Sequence, residues 1–192
     1  MTLSEILQTT YPLPAASLDK MLTLAKYVEL PKGTLLFRDD QLAHSIYVLQ
    51  HGLARAYAQR ADQEVTFWFS AEGAVLASIR GYTEQAVSYE TIELLEDSGL
   101  FQLDMQALQQ LYASDVHLAN WGRVMVERVW LQTEQQLIAR QFRTAAERYT
   151  DLLQQRPELL QRVALGHIAS YLGITQVTLS RVRAQLRKAP RP

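Results

Sequence analysis

The chain has 192 residues, of which 48% are hydrophobic and 20% charged, with a formal net charge of −1 and no cysteine. This composition is typical of a soluble globular protein, and the absence of cysteine excludes disulfides, thiolate zinc sites and cysteine-held iron–sulfur clusters. The amino terminus lacks a basic segment followed by a long apolar run, and no run of about 18 apolar residues occurs, so we expect a cytoplasmic protein without a membrane partner.

The first 104 residues have the pattern of a β domain preceded by a short amphipathic helix over 17–26. Short segments rich in β-branched and aromatic residues alternate with turns that contain Gly, Pro or Asp. Many short antiparallel strands at this spacing favour a barrel or a double-sheet jelly roll over a parallel sheet. Seven strands are predicted, over 27–30, 34–38, 45–50, 53–59, 64–70, 88–94 and 99–103.

Helical periodicity returns over 104–112, and a longer helix is predicted over 115–141. This helix has more apolar residues than one surface stripe requires, so we expect one face to pack on the β domain and another to meet the same helix of a second subunit. A buried helix of a monomer also fits this pattern. Gly122 costs helix stability but allows two backbones to approach closely. The residues predicted for the dimer interface are Leu118, Trp121, Gly122, Met125 and Val129.

The stretch 165–186 has the pattern of a helix-turn-helix. Its apolar residues recur at helical spacing on both sides of Gly173, which can adopt the left-handed conformation that ends a helix. Thr175 is the expected N-cap of the second helix, Gln176 suits adenine, and Arg181 suits guanine. The residues predicted to contact DNA bases or phosphates are Thr175, Gln176, Thr178, Ser180, Arg181, Arg183, Arg187 and Lys188.

The distribution of charge also indicates a nucleic-acid partner. Residues 1–139 carry 9 Lys/Arg and 17 Asp/Glu, a net charge of −8, whereas residues 140–192 carry 10 and 3, a net charge of +7. No acidic residue follows Glu158, so we expect a phosphate backbone to meet an unopposed positive field. The basic residues after it are Arg162, Arg181, Arg183, Arg187, Lys188 and Arg191.

The order of these parts resembles the Crp/Fnr family of transcriptional regulators, above all in IELLEDSGLFQLDMQALQQLY (92–112) and ERYTDLLQQRPELLQRVALGHIASYLGITQVTLSRVR (147–183). The resemblance implies a bacterial α+β protein with an antiparallel double-stranded β-helix (jelly roll) sensor domain over 1–114, a dimerisation helix over 115–141 and a helix-turn-helix DNA-binding domain over 142–192. It implies a homodimer that binds an inverted repeat in double-stranded DNA, with half-sites about 34 Å apart, and RNA polymerase as a further partner.

The resemblance also implies an effector pocket inside the β-roll, but the phosphate-binding motif of cyclic-nucleotide-responsive members is replaced here. Ala77-Ser78 stands for the usual Gly-Glu, and Val87-Ser88 for the usual Arg-Ser, so we do not expect cyclic AMP. A different small-molecule effector remains open, although lone arginines are more often salt-bridge partners and strand aromatics are more often core. The residues predicted for the pocket are Arg55, Tyr57, Phe67, Trp68, Ser78, Arg80, Tyr82 and Ser88.

Catalytic motifs do not occur in the sequence. The four histidines form neither a His-x-His pair nor an i,i+4 pair, and there is no Gly-rich phosphate loop and no Gly-x-Ser-x-Gly elbow. We therefore expect no enzyme activity, catalytic residue, metal or cofactor. Two other interpretations remain open: a ligand-sensing β-roll protein whose helical carboxyl terminus contacts another protein, and a cupin-like metal enzyme.

Overall fold

The computed structural model describes residues 1–61 and 63–188, apart from the side chains of Arg187 and Lys188. No helix among these residues is long and apolar enough to cross a membrane. The strands are β1 (Lys26–Leu30), β2 (Leu35–Phe37), β3 (Ser45–His51), β4 (Ala54–Arg60), β5 (Gln63–Ser70), β6 (Val75–Leu76), β7 (Thr91–Leu94) and β8 (Ser98–Asp104). The helices are α1 (Leu3–Thr10), α2 (Ala15–Leu24), α3 (Ile79–Glu84), α4 (Met105–Ser114), α5 (Val116–Phe142), α6 (Ala145–Gln155), α7 (Leu159–Arg162), α8 (Leu165–Tyr171) and α9 (Gln176–Lys188).

The strands form two antiparallel sheets of four strands, in the orders β1-β8-β3-β6 and β2-β7-β4-β5. Buried aliphatic side chains from both sheets, including Leu49, Leu94 and Leu100, pack into one cluster between them. The predicted antiparallel α+β architecture is confirmed. The tight turn before β4 requires glycine at Gly52, because its φ is +109° and a Cβ there would lie 2.1 Å from Oγ of Ser98.

The amino-terminal helices α1 and α2 pack against side chains of β3 and β8. Thr2 and Glu5 form a capping box that starts α1, and its buried residues Ile6 and Leu7 join a second core cluster. The indole Nε1–H of Trp121 in α5 donates a hydrogen bond to the carbonyl oxygen of Leu7 at 3.1 Å. The α5 helix is thereby fixed to its own protomer at its amino-terminal half.

This packing corrects the predicted dimer interface. Leu118, Trp121, Gly122 and Met125 all lie on the buried face of α5, and the first two are 0% exposed. A Cβ at Gly122 would lie 2.8 Å from Cζ of Tyr112 in α4, so the glycine allows close packing inside the protomer rather than between two subunits. These four residues are not available to a partner helix.

The carboxyl-terminal half of α5 carries a different set of apolar residues that are exposed. At 100° per residue, this set lies on the side of the helix opposite the buried residues. Trp130 is 72% exposed and Phe142 is 79% exposed. We call these residues the exposed α5 face, and they are Trp130, Leu131, Leu137, Ile138 and Phe142.

Beyond α5, the remaining helices form a small helical unit. A capping box of Thr144 and Glu147 starts α6, and α8 and α9 are joined by a turn in which Gly173 has φ +68°. The hydroxyl of Thr175 accepts a hydrogen bond from the backbone N–H of Thr178 at 3.1 Å. The predicted turn glycine and helix cap are therefore confirmed, and Leu179 packs with α8 in a shared core.

Candidate nucleic-acid interface and ligand cleft

The amino-terminal half of α9 presents a polar surface to solvent. Gln176, Ser180 and Arg181 are exposed, whereas Thr178 and Arg183 are half-buried. Among the described residues, no carboxylate forms a salt bridge with either arginine. The predicted contacts of Arg187 and Lys188, and those of the tail over 189–192, lie outside what the structure describes.

The helical unit is held against the β domain through α8 and the edge strand β5. The hydroxyl of Ser170 accepts a hydrogen bond from the backbone N–H of Thr66 at 2.9 Å and donates one to the carbonyl oxygen of Glu64 at 2.6 Å. The side-chain amide of Gln136 donates to the carbonyl oxygen of Phe67 at 2.8 Å. Side chains thus satisfy backbone groups that an edge strand leaves free.

Arg162 forms the largest ionic contact between the two units. Its guanidinium donates hydrogen bonds to both carboxylate oxygens of Glu72 and of Glu96, and to the carbonyl oxygen of Gly52. The hydrogen bond from Arg162 lowers the pKa of Glu72 to about 2. Arg162 is therefore neutralised by the β domain, which corrects its assignment to an unopposed positive field.

A second contact between the units centres on Arg55, which is 2% exposed. Its guanidinium contacts Glu64 at 2.8 Å and Glu93 at 3.0 Å, and its Nη1 lies 2.5 Å from Nδ1 of His167 in α8. Burial and the adjacent guanidinium lower the pKa of His167, so its neutral ring accepts this hydrogen bond. Arg55 also stacks over the ring of Tyr57 at 4.0 Å. Both residues were predicted for an effector pocket, but Arg55 instead connects the two units, and Tyr57 packs against its guanidinium.

The other predicted pocket residues, apart from Trp68, contact neighbours in the β domain or in α4. Phe67 packs edge-on against Tyr89. Three of the remaining four make local contacts, in which Ser78 caps α3 at Gly81, Arg80 pairs with Glu84, and Ser88 accepts from the backbone N–H of Glu90. The hydroxyl of Tyr82 donates to that of Tyr112 in α4. Trp68 is the one predicted pocket residue that borders the cleft described next.

A cleft of about 920 Å³ lies between the β domain, α5 and the helical unit. Its apolar walls include Leu76 and Ile92 from the sheets and Val129 from α5, and we call it the inter-unit cleft. Val129, predicted for the dimer interface, is half-buried there. The charged residues that border it were not found from the sequence, because strands, α5 and α6 bring them together only in the folded chain.

Two of those charged residues are notable for their position. The Glu90 carboxyl is 5% exposed, and burial raises its pKa. Among the described residues, no group of three or more potential metal-binding side chains occurs. The cleft therefore has a buried carboxyl, with a backbone hydrogen bond at Ile79, on its β-domain side, and arginines such as Arg140 on its helical side.

Comparison with known proteins relates the β domain to one domain family. Residues 27–115 match the family model of the cyclic nucleotide-binding domain. A search of curated protein sequences found no match to this chain.

Several solved structures share the fold over most of the chain. FixK2 from Bradyrhizobium japonicum is 22% identical, with 85% of this chain and 84% of that chain covered at a TM-score of 0.73. The c-di-GMP-responsive global regulator CLP from Xanthomonas campestris is 18% identical, with 93% and 96% covered at a TM-score of 0.73. The catabolite activator protein of Thermus thermophilus is 18% identical, with 97% and 91% covered at a TM-score of 0.59. At these identities the similarity establishes a shared fold.

Proposed function

We propose that the protein is a homodimeric, sequence-specific DNA-binding transcriptional regulator of the Crp/Fnr type. Its β domain would bind a small-molecule effector and control the spacing of two recognition helices. The observation that carries this proposal is the polar surface of α9, where Gln176, Ser180 and Arg181 are exposed together on a helix that follows a capped tight turn.

The geometry around α9 supports the DNA-binding part of the proposal. The α8 helix packs against β5, and the polar surface of α9 remains exposed while the unit is docked. Arg181 is the exposed cation at the centre of this surface, and a guanidinium there can donate two hydrogen bonds to guanine O6 and N7. Gln176, at the start of the helix, suits adenine, and Thr178 and Arg183 suit phosphates.

The exposed α5 face supports the dimer. Trp130 and Leu137 are seven residues apart, as are Leu131 and Ile138, which is the spacing of residues along the seam of a coiled coil. Large apolar groups exposed along one face of a helix favour a protein partner, and a second copy of the same helix buries both faces at once. We therefore place the dimer contact on the exposed α5 face rather than on the buried residues predicted from the sequence.

Under this proposal the chain consists of a sensor domain over 1–114, a dimerisation helix over 115–141 and a DNA-binding domain over 142–192. The solved structures that share the fold include CLP, described as a c-di-GMP-responsive global regulator. Because this chain has Ala77-Ser78 and Val87-Ser88 in place of the usual phosphate-binding pairs, we propose an effector other than a cyclic nucleotide.

The DNA-binding role is tested with the variant Arg181→Ala and the matched control Arg123→Ala. Arg123 is an exposed arginine on α5 that pairs with Glu127, so its removal leaves the α9 surface intact. We expect Arg181→Ala to lose about 1–3 kcal/mol of binding free energy at one base position of the preferred duplex, with Arg123→Ala unchanged. Equal binding by both variants in fluorescence anisotropy at fixed salt would contradict the assignment and favour a protein partner for the helical unit.

A further inference from the structure

Three arginines that line the inter-unit cleft have no acidic partner among the described residues: Arg128, which donates to the carbonyl oxygen of Thr9, and the pair Arg140 and Arg148. Arg140 of α5 donates through Nη2 to the carbonyl oxygens of Tyr171 and Thr66, at 3.0 and 3.4 Å. Arg148 of α6 donates through Nε to the carbonyl oxygen of Leu172 at 3.0 Å. The two guanidinium groups therefore converge on consecutive carbonyls at the end of α8.

Two neighbouring arginines at the same cleft do have carboxylate partners. Arg143 forms a salt bridge with Asp151, and Arg156 pairs with Glu158 at 3.2 Å. Burial lowers the pKa of Arg140, in contrast; Tyr171 acts against this shift, and the positive charge of Arg148 adds to it. Among the described residues, Arg140 and Arg148 therefore interact with backbone carbonyl groups and not with carboxylates.

Hydrogen-bond donors remain available on both members of that pair. Among the described residues, Nε and Nη1 of Arg140 and Nη2 of Arg148 have no protein acceptor. A guanidinium has five N–H donors in a planar fork that matches the oxygens of a carboxylate or a phosphate. The pair is suited to hold one anionic group.

The other end of the cleft has the opposite character. Apolar walls around Leu76 and Ile92 lead to the buried carboxyl of Glu90. A second anion placed there would be desolvated beside a carboxyl group, which is unfavourable. The cleft, with a volume of about 920 Å³, is large enough for a molecule with an apolar body.

We propose that the inter-unit cleft binds a small amphipathic molecule with a single anionic group, held between Arg140 and Arg148, and an apolar body that extends towards Leu76 and Ile92. The anion would lie at the end of α8, where both arginines already fix the backbone. Binding would therefore tighten the docking of the helical unit on the β domain. The binding step depends on no property of α9, so its test is separate from the test of DNA recognition.

The probes are octanoate, octyl phosphate, neutral octanamide and the dianion octanedioate, titrated into the full chain by isothermal calorimetry. We expect an anionic probe to bind at least about tenfold more tightly than octanamide, because the neutral amide offers the two arginines no anionic acceptor for charge-assisted hydrogen bonds. Comparison of octanoate with octyl phosphate shows which head group the pair prefers. Octanedioate should bind about tenfold more weakly than octanoate, because its second carboxylate would lie near the carboxyl of Glu90. Glu90→Gln should reduce that difference.

Variants locate the anion within the cleft. Arg140→Gln and Arg148→Gln should each weaken the anionic probes about tenfold and leave octanamide unchanged, whereas the control Arg123→Gln should change neither. Unchanged thermal unfolding without ligand verifies that each variant is folded, and the comparison of octanoate with octanamide needs no variant. Equal binding of charged and neutral probes, no binding of either anion, or unaltered affinity in both arginine variants would overturn the proposal.

Discussion

Arg162→Gln should weaken the docking of the helical unit on the β domain. The substitution removes hydrogen bonds to Glu72, to Glu96 and to the carbonyl oxygen of Gly52, and it leaves two carboxylates without their cation. The three side chains are 23%, 40% and 33% exposed, which lies between a surface pair, worth at most about 1 kcal/mol, and a buried pair, whose disruption costs about 3–5 kcal/mol. We therefore expect a loss of about 2 kcal/mol, which corresponds to about a 30-fold larger undocked fraction.

The backbone N–H of Thr66 reports this equilibrium directly, because it donates to the hydroxyl of Ser170 across the contact between the units. Its hydrogen exchange, followed by NMR, should accelerate about 30-fold in Arg162→Gln. The control Arg123→Gln removes an exposed i,i+4 pair on α5 and should change the rate less than about twofold. Equal exchange rates in the two variants would refute the assignment of Arg162 to domain docking.

Three further predictions concern α5 and α8. Trp121→Ala should lower the free energy of unfolding by about 3–5 kcal/mol in chemical denaturation, because the side chain is fully buried, and a loss below about 1 kcal/mol would contradict that packing. Trp130→Ala, nine positions later, should change the free energy of unfolding of the protomer by less than about 0.5 kcal/mol, because the side chain is exposed. It should weaken self-association in analytical ultracentrifugation, and an unchanged dimerisation constant would exclude the exposed α5 face as the dimer contact. Acidification below the ordinary histidine pKa of about 6.5 should lower the protection of the Thr66 amide, measured against the intrinsic exchange rate at each pH, because a charged His167 is buried in the docked state and repels Arg55 even with the nearby carboxylates. His167→Gln should abolish this pH dependence of the protection.

The sign of the last prediction follows from the direction of the pKa shift. The docked state holds His167 with a lowered pKa, so it binds fewer protons than the undocked state at mildly acidic pH. Its contribution to docking is complete above the ordinary pKa and decreases as the pH falls through that value. The adjacent carboxylates of Glu64 and Glu93 raise the pKa of the ring and so limit the effect.

Local sequence signals predicted the elements whose geometry is set by neighbouring residues. Gly173 adopts the left-handed conformation and Thr175 caps α9, because a turn and a cap depend on a few adjacent groups. The strands were recognised with the exception of β6, whose two residues are too few for an alternating pattern. The α1 helix was not predicted, although its boundary has a capping box, because its burial depends on Trp121, 114 positions from its partner Leu7.

The role of charged and small residues was less predictable from the sequence. Counting charges places Arg162 in a positive field, whereas its partners Glu72 and Glu96 are 90 and 66 positions away. Gly122 lies among apolar residues of α5, which predicted close contact with a helix of a second subunit. The helix that it contacts is α4 of its own chain. A periodic pattern shows that a helix has two apolar faces, but only packing shows which of them the protomer buries.

The inter-unit cleft was beyond sequence reasoning for the same physical reason. Arg140 and Arg148 are on different helices, and Glu90 lies two residues after the buried Ser88, in a segment that sequence alone assigned to a strand. Each is an ordinary charged residue in its local context. Their common position at one cleft results from the docking of the helical unit, which is a tertiary contact.

The most direct test of the account is selection of binding sites from a random duplex library with the purified full chain at fixed salt. The account predicts enrichment of an inverted repeat whose half-sites are one helical turn, about 34 Å, apart. It also predicts that Arg181→Ala relaxes the preference at one symmetric base position while the repeat is retained. Salt-sensitive binding without any enriched sequence, both alone and with an anionic ligand of the cleft, would contradict sequence-specific recognition by α9.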